Sequence, residues 1–375
     1  LNDTLSSLSK IIALVIKEFL AILRDPKSRI VLVGPPIIQT LVFGYAATFD
    51  LNNVPFAVYN EDPSAASRDL IDGFRGSPNF HQVATITHNE QIKSLIDKKR
   101  VLLVVHIGPQ FNRDLFLSKS AQIQVIVDGR NSNTAVIALN YVTAIVARFN
   151  EQWAARAGSS GPPAVLKTRV WFNPNLESRW FIVPGIIALL TLVVTMMVTA
   201  LSVAREREQG TFDQLLVTPL TPVQILLGKT IPGFVIGFVE ATAIIIITVF
   251  WFKIPLRGHV VTLYTGLSLY LLSSVGVGLV ISSLAVTMQQ GLLGAFLFLV
   301  PSIILSGFTT PIANMPAWIQ SLTLLNPMRY FLVIIRGTFL QAASFGSLIH
   351  QFWPMLLIGL VCLTLAGWLF RHRMY

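Results

Sequence analysis

Few residues in this 375-residue chain have the types and spacing that chemistry requires. Glu240 is the one carboxylate in a stretch that is otherwise uncharged from Thr230 to Phe252. An ionised carboxylate at membrane depth costs at least about 2.5 kcal/mol, so this residue should face protein or water. There it would bind a cationic substrate or a proton, or hold helices together through a hydrogen bond, with Thr242 as a nearby partner. Gly228-Lys229-Thr230 mimics the end of a phosphate-binding loop, but that loop needs glycine at position 223, where the chain has Val223. Lys229-Thr230 therefore reads as the inner boundary of an apolar span, and the chain has no ATP-hydrolysing loop of its own. The six histidines, His81, His88, His106, His259, His350 and His372, show no HExxH or other metal spacing, and Ser306-Gly307 has no histidine at its depth. The single cysteine, Cys362, lies in an apolar run and allows neither an intrachain disulfide nor a cysteine zinc cluster. No catalytic residue and no metal site is expected.

The elements that must position Glu240 are membrane spans. Apolar residues make up 53% of the chain and charged residues 12%, against about 25% charged in a soluble domain. The formal charge of +10 is scattered beside long uncharged stretches, which fits a membrane surface and not nucleic acid. A crossing helix needs about 20 apolar residues. Stretches of that length lie between Arg29 and Asp50, between Arg179 and Arg205, and between Lys229 and Lys253. From Val260 to Met328 no charged residue occurs, and Thr287-Met288-Gln289-Gln290 divides most of that run into spans near 262–285 and 291–309. A sixth span runs from about Phe352 to Phe370. With the N-terminus inside, the inner flanks hold Lys10, Lys17, Arg24, Lys27, Arg29, Arg205, Arg207, Lys229, Arg371 and Arg373, whereas the short outer loops hold only Lys253, Arg257, Arg329 and Arg336. The positive-inside rule thus places both termini in the cytoplasm. Charges at Lys17, Glu18, Arg24 and Asp25 argue against a cleavable signal peptide, so the first span is expected to target the chain. Leu1 in place of methionine suggests an alternative start codon or trimming.

Segment 50–178 is long enough to escape the charge rule and reads as an extracytoplasmic α/β domain. Its expected strands are Val54–Tyr59, Val101–Ile107, Gln122–Val127 and Lys167–Phe172, and its helices Ser64–Phe74, Asn89–Lys99 and Thr134–Arg156. Residues 157–163 have the composition of a flexible loop. Before the first span, residues 1–28 carry Leu8, Ile11, Ile12, Val15, Phe19 and Ile22 at helical spacing, with Lys10, Lys17 and Arg24 every seventh residue on a polar face. Such a helix would lie along the inner leaflet with its cations among anionic headgroups. Between the second and third spans, segment 205–219 reads as a small inner knob. Gly210 permits a sharp turn, Thr211 and Asp213 start a short helix with Leu215 and Leu216 on its apolar face, and Pro219 ends it. Gly276 and Gly278 read as positions of close helix packing, not as a dinucleotide fingerprint.

The run Arg205-Glu206-Arg207-Glu208-Gln209-Gly210-Thr211, followed by Leu215-Leu216-Val217-Thr218-Pro219, resembles the coupling region of the ABC type-2 permeases, the membrane subunits of type V ATP-binding-cassette exporters. The likeness spans nearly the whole chain. It includes Trp171-Phe172-Asn173-Pro174, Leu305-Ser306-Gly307-Phe308 with Pro311, and Asn326-Pro327-Met328-Arg329-Tyr330. It is strongest to bacterial multidrug-type inner-membrane permeases with a large periplasmic domain. The resemblance implies six transmembrane helices, with span one at 29–49, spans two to six within 179–375, and a re-entrant outer segment at 310–340. It also implies that residues 205–211, Leu215 and Leu216 contact a dimer of cytosolic ATP-binding subunits that carry the ATP and magnesium. A second permease, identical or paralogous, would complete the pathway, and a periplasmic adaptor is a further candidate partner. Ser306, Gly307, Pro311, Asn326, Pro327 and Tyr330 become candidates for an outer gate.

The favoured expectation is an export permease for a hydrophobic or amphipathic, drug-like or lipid-like substrate. The competing expectations are a proton-coupled secondary exporter using Glu240 and a membrane-anchored binding protein. Against the secondary exporter stand its single intramembrane carboxylate and the lack of an inverted repeat.

Overall fold

The computed structural model describes residues 2–24, 26–46, 51, 53–117, 121–130, 132–156, 177–212, 214, 218 and 220–372. The chain divides into two compact units, Leu1–Ala47 with Trp171–Tyr375, and Thr48–Val170. It begins with helix α1, Asn2–Leu23, and continues into α2, Pro26–Ala46. Helix α2 contains Pro35 and Pro36, each of which removes one backbone donor from the helical ladder.

The second unit alternates strands and helices: β1 Val54–Asn60, α3 Ala65–Arg75, β2 Phe80–Ile86, α4 Glu90–Asp97, β3 Leu103–Ile107, α5 Phe111–Phe116, β4 Ile123–Val127 and α6 Ser132–Arg156. The sheet order is β2-β1-β3-β4, with β1 parallel to both its neighbours and β4 antiparallel to β3. Both faces are covered, as a parallel sheet requires. Phe56, Phe74, Phe80, Leu70, Val142 and Phe149 fill one side, and Ala57, Ile86, Ile92 and Val104 the other. Ser64 caps α3 by accepting the Ser67 N–H, and the Asp62 carboxylate accepts the N–H groups of Ser64 and Asn112, which ties the end of β1 to the start of α5. The expected α/β pattern is present, with β2 and α5 in addition. The expected strand 167–172 and the loop 157–163 lie outside the described residues.

At the end of β4, Asp128 accepts hydrogen bonds from Arg130, whose guanidinium also donates to the Ile96 carbonyl and so ties β4 to α4. These bonds hold the Asp128 carboxyl down at about 2, from an ordinary 3.8. A lowered carboxyl pKa contributes stability above the unfolded value, and that contribution is lost as pH falls through the folded one. The side-chain carbon resonance of Asp128 should therefore titrate near about 2, and in Arg130→Gln its midpoint should rise toward the ordinary value.

The remaining helices are α7 Ser178–Glu208, α8 Pro222–Phe250, α9 Val260–Leu284, α10 Met288–Leu305, α11 Ala317–Leu322, α12 Pro327–Leu340 and α13 Ile349–His372. Among the described residues five helices are long and apolar enough to cross a membrane: α7, α8, α9, α10, and α13 with the turn that leads into it. The two central ones, α7 and α9, approach each other closely because glycines remove side chains at the crossings. A Cβ at Gly278 of α9 would lie 1.8 Å from Thr199 Oγ1 of α7, and one at Gly233 of α8 would lie 2.5 Å from Thr199 Cγ2. Gly276 similarly faces Cys362 of α13, so the packing role expected of both α9 glycines is present.

Between α10 and α13 the chain runs through short helices. Met328, Phe331, Ile334, Ile335 and Phe339 of α12 are buried against the bundle, and Phe331 stacks on Tyr270 of α9. The Asn326 side chain accepts the Met328 N–H at the start of α12 and donates to the Ser302 carbonyl of α10 at 2.7 Å. Asn326 thus fastens the start of α12 to α10.

Candidate functional site

Four charged side chains from three helices meet where α1 crosses α7 and α8. Lys229, near the start of α8, is wholly enclosed, and its Nζ lies 2.6 Å from Glu206 Oε2 and 3.1 Å from Glu18 Oε1. Lys17 reaches the other Glu206 oxygen at 2.6 Å, and Ser202 of α7 accepts from Lys229 and donates to Glu18. Two carboxylates and two ammoniums leave the cluster neutral, which is the condition for burying charge without displacing its protons. Leu14, on the same face of α1 as Glu18, seals it by packing on Gly228, where a Cβ would come within 2.2 Å of its methyl group. The opposite face of α1 exposes Leu8, Ile12, Ile16 and Leu20, an apolar stripe with a four-residue step.

The turn that follows α7 is anchored rather than loose. Gly210 has a left-handed backbone, φ +69, and Thr211 turns both its N–H and its hydroxyl back to the Glu206 carbonyl. Arg207 donates to the Ser283 and Ala285 carbonyls at the end of α9 and lies 4.9 Å over the Phe212 ring. Glu208 is exposed and accepts the Met288 N–H at the start of α10, where a carboxylate is favoured by the helix dipole. Gln209 and Gly210 are exposed. Asp213, Leu215, Leu216 and Pro219 lie outside the described residues, as do Trp171-Phe172-Asn173-Pro174.

The residues singled out in the sequence therefore separate. Glu206 faces inward to Lys229 and Lys17 and not to the surface. Lys17, expected among headgroups, is tied to Glu206, while Arg24 is exposed and Lys10 is half-buried. The Lys229-Thr230 pair, expected at the inner boundary of a span, lies inside α8, seven residues after its start at Pro222, with Lys229 enclosed. Glu18 and Lys229 were missed as site residues. The signal for Glu18 was a carboxylate in the stripe Ile11-Leu14-Glu18, where an apolar residue belongs.

Glu240 follows Gly237 on α8, which packs on Thr195 of α7 and Leu271 of α9, and its carboxyl oxygens are enclosed. Neither of its oxygens has a hydrogen-bond partner among the described residues. Thr242 is not its partner: that hydroxyl donates to the Phe238 carbonyl and accepts from Tyr264. Of the outer-gate candidates, Ser306 donates to the Ile303 carbonyl, Tyr330 to the Leu324 carbonyl, Gly307 makes a left-handed turn at φ +84, and Asn326 and Pro327 start α12. They fasten the irregular segment, and Pro311 alone of the six is exposed.

Among the described residues no three His, Cys, Asp or Glu side chains gather in a way that would hold a metal ion. Long apolar helices, an inserted α/β unit and a neutral ionic cluster at the base of an anchored turn define a polytopic helical membrane permease. The chain belongs to the ABC-2 transporter family: the model described as ABC-2 family transporter protein matches residues 28–368. It is 40% identical over 361 residues to the probable multidrug ABC transporter permease YbhR of Escherichia coli K12, covering 96% of this chain and 98% of the relative. The probable multidrug ABC transporter permease YbhS of the same strain is 35% identical over 350 residues, 91% of each chain. The inner membrane transport permease YhhJ is 29% identical over 368 residues, 97% of each. With relatives that are transport permeases, this chain is a transport subunit and not an enzyme.

Proposed function

We propose that this chain is the membrane subunit of an ATP-binding-cassette exporter of the type V fold. It would move a hydrophobic or amphipathic, drug-like or lipid-like substrate out of the cytoplasm or inner leaflet of a bacterial inner membrane. In this reading α2 is the first of six spans: its 21 residues reach about 31 Å, enough for a bilayer core. Both termini are cytoplasmic, and the α/β unit is periplasmic, where an adaptor would find it. The exposed apolar stripe of α1 sits in the acyl boundary of the inner leaflet. Each permease pairs with a second one over a dimer of ATP-binding subunits.

The observation that carries this reading is the neutral cluster at the root of segment 205–219. A push delivered to that segment by a closing ATPase dimer reaches α7 directly, and α8 and α1 through Lys229. Glu208, Gln209 and Gly210 then form the surface the ATPase touches, and Glu206 passes the displacement inward.

Co-expression with candidate ATP-binding subunits tests this division. Glu208→Arg with Gln209→Ala should abolish co-purification. Glu206→Gln should keep the complex while transport-substrate stimulation of its ATPase falls several-fold. An ATPase that binds both variants and is stimulated like wild type would overturn the assignment. The unpartnered carboxyl of Glu240 favours a second reading, proton-coupled export, which ATP-dependent export by Glu240→Gln would rule out.

A further inference from the structure

We infer that the crease between α7 and α8 around Glu240, Thr191 and Thr195 is a binding site for a primary ammonium group. Both carboxyl oxygens of Glu240 and the hydroxyls of Thr191 and Thr195 are enclosed and lack hydrogen-bond partners among the described residues. The helices run antiparallel in four-residue steps. Gly233 packs on Thr199, and Gly237 packs on Thr195, whose hydroxyl oxygen would be 2.6 Å from a Cβ at 237. The next step sets Thr191 beside the turn that carries Glu240. A buried polar group without a partner is uncommon in a folded protein, and three in one crease point to a ligand.

Three of the donors and cations nearby are engaged elsewhere. Tyr270 donates to the Ala188 carbonyl at 2.8 Å, Tyr264 donates to Thr242, and Lys229 is held by Glu18 and Glu206. Arg336 lies 3.7 Å over the Phe181 ring and beside Gly185, six residues before Thr191 on α7, and its Nε and Nη2 have no hydrogen-bond partner among the described residues. What the crease presents is therefore one carboxylate and two hydroxyl oxygens. Four acceptor oxygens, with one negative charge when Glu240 is ionised, suffice for the three donors and positive charge of R–NH3+. A trimethylated nitrogen has the charge without the donors, and an acetylated one has lost the charge. The alkyl part of the ligand would lie on Leu271 and Ile244, buried apolar neighbours of Gly237 and Glu240.

The site deepens the exporter reading by assigning the head group of an amphipathic substrate. It rests on that reading for the movement that parts α7 from α8, since the carboxyl oxygens are closed off in this conformation. The test uses the full-length permease in phosphatidylcholine nanodiscs and three fluorescent probes: dansylcadaverine, its trimethylammonium derivative and its N-acetyl derivative. Wild type should bind the primary ammonium about tenfold to a hundredfold more tightly than the acetylated probe, the range of a charge-assisted hydrogen-bond set, with the trimethylated probe between them. Glu240→Gln should make the three affinities about equal while leaving the acetylated probe unchanged, which also reports an intact fold. Thr191→Val with Thr195→Val should bring the primary ammonium down to the trimethylated probe. Equal binding of all three probes by wild type, or a preference that survives Glu240→Gln, would overturn the site. No ATPase takes part in the measurement, so the order of affinities judges the site alone, whereas failure of every candidate ATP-binding subunit to co-purify would sink the exporter reading and leave the site standing.

Discussion

Replacing Lys229 by methionine should destabilise the helical unit by about 3–5 kcal/mol, the range for breaking a buried ion pair by removing one partner. The methionine fills nearly the same volume, so the loss is electrostatic: Glu18 and Glu206 stay buried with Lys17 as their remaining cation, and Lys17 is half-exposed. Thermal unfolding in detergent or nanodiscs would register the change as a large drop in midpoint. Amide exchange should localise it to α1 and the first turns of α8. The companion variant Glu18→Gln/Glu206→Gln/Lys229→Met removes the cluster's buried charges together and should recover most of the lost stability, because well-packed neutral replacements of buried ion pairs are often near neutral. If the single variant melts like wild type, the cluster is not a stability element. If the triple variant also restores ATPase stimulation, the cluster is not a transmission element.

The second large effect is steric. A methyl group at Gly278 would overlap Thr199 Oγ1, 1.8 Å away, in a place where Thr199 is fully buried and Gly233 presses on the same side chain. Gly278→Val should therefore cost about 1–3 kcal/mol or more, the usual penalty for overfilling a packed core, and should lower the yield of folded protein. Gly278→Ala should be milder and should be partly rescued by Thr199→Ala, which removes the hydroxyl but leaves the Thr199 Cβ within 2.9 Å. A thermal-stability cycle over these two substitutions should show strong positive coupling. Strict additivity would mean that α7 and α9 do not meet at this crossing.

Much of the architecture was legible because long apolar stretches and charge placement are strong signals, and because β1, β3, β4 and α3 carry clear patterns. Strand β2 escaped notice because it is an edge strand. Its sequence Phe80-His81-Gln82-Val83-Ala84-Thr85-Ile86 does not alternate cleanly, and only its end residues Phe80 and Ile86 are buried. Helix α5 has six residues, too few to show a period. The site was less legible for a geometric reason. Glu206 and Glu208 look equivalent in Arg-Glu-Arg-Glu, yet two residues on an α-helix are about 200° apart. One carboxylate therefore turns into the bundle toward Lys229, and the other turns outward to Met288. Which is which depends on where α1 and α8 lie, and that is tertiary information. Lys229 was masked in the same way: a lysine at the start of a span usually marks the water boundary, and only the carboxylates brought by α1 and α7 make an enclosed position tolerable.

The neutrality of that cluster has an electrical consequence. A charge displaced through a membrane potential does work of about 2.3 kcal/mol per elementary charge per 100 mV. Glu18, Glu206, Lys17 and Lys229 carry a net charge of zero, so α1, α7 and α8 can shift together along the membrane normal with no gating charge from this group. An energised membrane would neither assist nor resist the stroke at that point. Voltage dependence would then enter through charges outside this cluster, a substrate ammonium leaving the α7–α8 crease among them.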